Sequence, residues 1–61
     1  MNGKQVIKIL KKNGWELKLI SGSHHQMEKD GVKVPVPVHG TADIMLGTLA
    51  SIQRQTGVKL K

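Results

Sequence analysis

The residues of this chain best suited to chemistry are the run Gly22-Ser23-His24-His25-Gln26. An imidazole has an unperturbed pKa of about 6.5, so it can take up or release a proton near neutral pH. Successive side chains of a strand leave opposite faces, so His24 and His25 cannot act on the same ligand if the run is extended. The chain has no cysteine, and neither histidine has a carboxylate at ligand spacing, so no metal and no other cofactor is expected. Ten Lys and Arg against four Asp and Glu give a net charge of +6, a large charge for a small surface and one that attracts polyphosphate at long range. Charge alone serves solubility equally well, so its distribution must decide between the two.

Lys4 to Lys12 has helical periodicity, with Val6, Ile7, Ile9 and Leu10 on one arc and Lys4, Lys8, Lys11 and Lys12 on the opposite one. Asn2 is suited to cap this helix, and Asn13-Gly14 to stop it. Trp15 to Leu19 then alternates, which predicts a strand with Trp15, Leu17 and Leu19 facing the core. Asp30-Gly31 is a two-residue hairpin signal that pairs Glu28 with Lys33, Met27 with Val34 and His24 with Pro37. In that register His25 and Met27 share the core face with Val32, Val34, Val36 and Val38, and His24, Gln26, Glu28 and Lys33 face the other way. His25 is then expected to make a hydrogen bond in the core.

Between the first two strands, a three-residue loop of Ile20, Ser21 and Gly22 places Lys18 opposite His24. A two-residue loop there puts His24 under Leu19 in the core, so the longer loop is preferred. Pro35 and Pro37 lack N–H donors on the same side, which makes the third strand an edge. A second helix is expected from Leu46 or Gly47 to Thr56, stopped by Gly57, with Leu46, Leu49, Ala50 and Ile52 on its inner arc. Gln53 also falls on that arc, without an evident partner.

The resulting order is helix, three antiparallel strands, helix, an α+β arrangement with one sheet face open. With 61 residues the chain is expected to form a single domain, 1–61, too small for a deep substrate cavity. Every apolar run is soon broken by Lys, Glu, Gly or Ser, so no signal peptide or membrane partner is expected. A soluble, cytoplasmic protein is the expectation.

On the open face His24 is the candidate acid or base for RNA cleavage by the RNA's own 2′-hydroxyl. Lys18, or a backbone N–H near Gly22 and Ser23, is the candidate for stabilising charge. Lys4, Lys8, Lys11, Lys12 and Lys33 are candidate contacts to RNA phosphates. Trp15, the only aromatic residue, falls on the core face, so base-stacking modules are disfavoured. A non-catalytic RNA-binding module fits the same pattern, although Leu46 to Gln53 has no basic residue. A small structural subunit, charged for solubility, is a third class.

Four ordered motifs resemble the HicA family of mRNA interferase toxins: Asn13-Gly14-Trp15, then Gly22-Ser23-His24-His25-Gln26, then Val36-Pro37-Val38-His39-Gly40, and finally Gly47-Thr48-Leu49 through Ile52, Arg54-Gln55 and Gly57. The resemblance runs from about Lys4 to Gly57. It implies a fold similar to a double-stranded-RNA-binding domain, with two helices on one face of the sheet, and metal-independent endoribonuclease activity on mRNA. It also implies an essential histidine at His24, with Gly22 and Ser23 in the same motif, and a HicB-like antitoxin partner through which DNA is contacted only indirectly. The chain departs from the family at Met45-Leu46, where members often carry a basic residue and a proline.

Overall fold

The first N–H groups of a helix have no partner within it, and a side chain must supply one. In the computed structural model, which describes residues 1–60, Asn2 Oδ1 accepts from the Gln5 N–H at 2.9 Å and Gln5 Oε1 accepts from the Asn2 N–H at 2.8 Å. This reciprocal cap starts α1 (Gly3–Lys12) at the expected place. At its other end the Trp15 N–H donates to the Leu10 carbonyl and the Gly14 N–H to the Lys11 carbonyl. That stop delivers Trp15 into the core beside Leu10.

The strands β1 (Glu16–Ser21), β2 (His24–Lys29) and β3 (Val32–Pro37) form one antiparallel sheet in that spatial order. Asp30 and Gly31 both have positive φ, 51° and 81°, as a type I′ turn requires. The β2–β3 register is the expected one, from Lys29 opposite Val32 to His24 opposite Pro37. Met27, Val34 and Val36 are fully buried on the helix-covered face. The Val38 N–H donates to the Ser23 carbonyl at 2.7 Å, so by alternation Pro35 and Pro37 lie on the outer side of β3, and the strand is an edge as expected.

The β1–β2 register differs from the expectation. The loop is the two-residue turn Gly22-Ser23, and it pairs Ser21 with His24, Ile20 with His25 and Leu19 with Gln26. A β-bulge at Lys18 then restores Leu17 opposite Met27 and Glu16 opposite Glu28. Lys18 therefore does not oppose His24. Leu19, expected in the core, emerges on the open face at 56% exposure, and Ile20 is 57% exposed. Gly22, with φ 58°, occupies the first central position of the turn, where only glycine takes a positive φ without cost.

The helix α2 (Leu46–Thr56) ends at Gly57 as expected. Its buried arc runs through Leu49 and Ile52, whereas Leu46 is 72% exposed and does not belong to it. At about 100° per residue Leu46 lies some 90° from the centre of that arc, at the first helical position. Gln53 gains its partner from a segment with no periodicity: its Oε1 accepts from the Leu60 N–H at 2.9 Å, which holds Leu60 in the core. Both helices contribute to one cluster of buried residues with Met27, Val34 and Val36, leaving the other sheet face open. Among the described residues, no helix is long and apolar enough to cross a membrane.

Candidate active site

His24 owes its position to two turns. The Asp30-Gly31 hairpin fixes the parity of β2 by setting Met27 against Val34, which sends His24, Gln26 and Glu28 to the open face. The Gly22-Ser23 turn places His24 at the first position of its strand. The exposed imidazole has Ser21 directly across on β1 and Pro37 directly across on β3. Gln26 and Glu28 follow on the same face, with Leu19 and Pro35 flanking the first and Glu16 and Lys33 flanking the second.

The charged groups cluster at the far end of this face. Glu16 and Glu28 oppose each other, a repulsive pair, and Lys18 Nζ lies 3.0 Å from Glu16 Oε2. The hydrogen bond from Glu16 and its negative charge hold the Lys18 amine above its ordinary pKa. Its charge is directed to carboxylates and away from His24, so the expected charge stabiliser is not beside the histidine. Gly22 and Ser23 do accompany His24, through the turn itself.

His25 points to the helix side, half-buried between Ile20 and Val36. Its Nδ1 is buried without a hydrogen-bond partner, contrary to the expected core hydrogen bond. His39 lies beyond β3, where its carbonyl accepts from the Ala42 N–H. It lines a shallow hollow of about 220 Å³ with Pro37, Asp43, Met45 and Thr48. A second hollow, of about 240 Å³, is lined by Gly14, Glu16, Lys18, Glu28, Lys29 and Asp30 at the opposite end of the hairpin. His24 lines neither. An imidazole on an open sheet suits a polymer lying across it better than a small molecule, which needs an enclosing pocket. Among the described residues, no three His, Cys, Asp or Glu side chains are grouped to hold a metal ion.

A family model described as the HicA toxin of bacterial toxin–antitoxin systems matches residues 3–58. The chain belongs to the HicA toxin family. Comparison with curated proteins and with solved structures found no significant match. Membership of this family makes the protein the toxin of a toxin–antitoxin pair and implies an antitoxin partner.

In this HicA protein the basic residues are divided between two layers. Lys33 is exposed on the open face with His24. Lys4, Lys8, Lys11 and Lys12 are exposed on α1, which packs on the other face. The helix begins where an added Gly3 Cβ would meet the Pro37 carbonyl oxygen, and it ends where Lys29 Nζ donates to the Asn13 carbonyl at 2.9 Å. The stripe therefore starts at Lys4, across the β3 edge from His24, and leads away. Sequence reasoning missed Ser21 and Leu19 as neighbours of the site. The Gly-Ser dipeptide was a usable signal for the first, and the bulge that exposes the second has no sequence signature.

Proposed function

We propose that this toxin is a metal-independent endoribonuclease that cleaves mRNA in the cytoplasm, with His24 as general acid or base. The observation that carries the reading is an exposed imidazole at the start of the central strand of an otherwise uncovered sheet face, in a family of toxins. Cleavage of RNA by its own 2′-hydroxyl needs that hydroxyl deprotonated as it attacks phosphorus, and the departing 5′-oxygen protonated. A positioned imidazole can perform either transfer, each worth roughly 10²–10⁴-fold. The Ser21 hydroxyl, across from His24, and the backbone N–H groups of the adjoining Gly22-Ser23 turn are the donors for the charge that develops on phosphate. Lys33 and the α1 stripe supply sequence-tolerant affinity for the backbone. The antitoxin partner, of the HicB type, inhibits by covering the open face around His24, so that it and RNA exclude each other. Strand addition along β3 is disfavoured, because Pro35 and Pro37 offer no N–H donors at that edge.

The test is a pure His24→Ala protein. It is expected to lose RNA cleavage and growth inhibition, and to keep its stability within about 0.5 kcal/mol, as exposed substitutions do. The wild-type products are expected to carry 2′,3′-cyclic phosphate ends and to form unchanged in excess chelator. Undiminished cleavage by His24→Ala would end this assignment.

A further inference from the structure

Exposed leucine on a functional sheet face calls for a reason, because regular alternation with Leu17 would have kept Leu19 on the core side. The bulge at Lys18 turns it outward and sets it directly across from Gln26. Pro35, also exposed, stands across from Gln26 on the other side. A half-buried amide is thus walled by two apolar side chains, on the same strand and face as His24 and two residues from it. Two strand residues span roughly 6.7 Å, a separation that one nucleotide can bridge.

We propose that Leu19, Gln26 and Pro35 form a slot for a single-stranded nucleobase next to the scissile phosphate, and that the base it prefers is adenine. The slot rests on the nuclease reading above and adds a sequence preference to it. Single-stranded RNA is read by bases splayed from the stack onto flat side chains and hydrogen-bonded along their edges. The chain has no Phe or Tyr and its one Trp, Trp15, is buried, so beyond the His24 imidazole the open face holds a base by aliphatic contact. A leucine and a proline on either side of an amide offer that contact to the two faces of a ring. The Gln26 side chain carries one acceptor and two donors, and an amide pairs in bidentate fashion with N6 and N7 of adenine. The net charge of +6 and the neighbouring Lys33 favour RNA over an acid-poor polypeptide as the occupant.

The experiment digests a pool of single-stranded RNA with a randomised segment and sequences the cut ends. Wild-type protein is expected to show adenine enriched about tenfold at one position beside the cut, within the 5- to 150-fold range of a good bidentate pair. In Gln26→Ala that enrichment is expected to collapse to near parity. In Gln26→Glu it should move to cytosine, whose N4 amino group donates to a carboxylate. Leu19→Ser, a change at an exposed position, should weaken binding of pentaadenylate to a His24→Ala background without altering the order of bases. Wild-type cleavage that lacks any preference at the neighbouring positions, or a preference that survives in Gln26→Ala, overturns the slot and leaves the nuclease reading standing. A wild-type chain that cuts no RNA overturns both. Cut ends unchanged by either substitution, with antitoxin binding weakened, would make the patch a protein contact and overturn the slot as well.

Discussion

Gly3→Ala is expected to destabilise this fold even though alanine is the better helix former. Gly3 is the first residue of α1, and a Cβ built there falls 2.3 Å from the Pro37 carbonyl oxygen, 2.7 Å from Val38 Cγ2 and 2.9 Å from Val38 Cα. Two of these three are backbone atoms, and the backbone cannot yield easily on either side. Val38 is held by its 2.7 Å hydrogen bond to Ser23, and the helix start by the Asn2–Gln5 cap and the Asn2–Asp43 bridge. Gly→Ala gains up to about 1 kcal/mol within a helix, whereas forcing a methyl group into a filled contact costs about 1–3 kcal/mol. With the clash on backbone the upper part of that range applies, for a net loss of about 1–2 kcal/mol. In a domain of this size that lowers Tm by roughly 4–16 °C. Gly47→Ala is the matched control: it lies in the first turn of α2 with nothing within 4 Å of the added carbon, so it should be neutral or stabilising. Thermal and urea unfolding followed by circular dichroism reads both. Because Pro37 stands across from His24, the displacement should also alter the His24 ring resonances. Equal stability of Gly3→Ala and Gly47→Ala would refute the close packing of α1 on the β3 edge.

Two further outcomes follow from the same geometry. His25→Leu should leave stability unchanged or raise it by up to about 1 kcal/mol, since the Nδ1 it removes is buried without a partner and leucine is apolar like the neighbouring Ile20 and Val36; a loss above 1 kcal/mol in urea unfolding would reveal a polar role for this side chain. Replacing Lys4, Lys8 and Lys11 with Ala should weaken RNA binding and reduce the log–log salt slope by about 0.7 for each lost phosphate contact. A slope that stays constant in titrations at several salt concentrations would leave those lysines with solubility alone.

The placement of His24 was legible in the sequence while that of its neighbour Lys18 was not, and the reason lies in what fixes each strand. The parity of β2 is set by the Asp30-Gly31 hairpin, whose turn residues and opposed Met27 and Val34 are all local and mutually consistent. In β1 two local demands conflict. The Gly22-Ser23 turn, continued as regular pairing, would bring Lys18 opposite fully buried Met27 and send Leu17 outward. The core needs the reverse, because burying an unpaired ammonium costs several kcal/mol. One extra residue in β1 satisfies both, since Leu17 returns inward, Lys18 reaches Glu16, and Leu19 is left outside. A reading that excludes bulges can keep the leucines together only by lengthening the loop, which moves Lys18 beside the histidine. The Gln53 side chain shows the same limit: its place on the inner arc of α2 is explained only by Leu60, folded back from a segment without periodicity. A bulge and a returning tail are fixed by tertiary packing, so they escape pattern reading. His24 does not depend on either. A two-residue loop was expected to put it under Leu19 in the core, but β2 takes its parity from the hairpin with β3, so the Gly22-Ser23 turn leaves His24 on the open face.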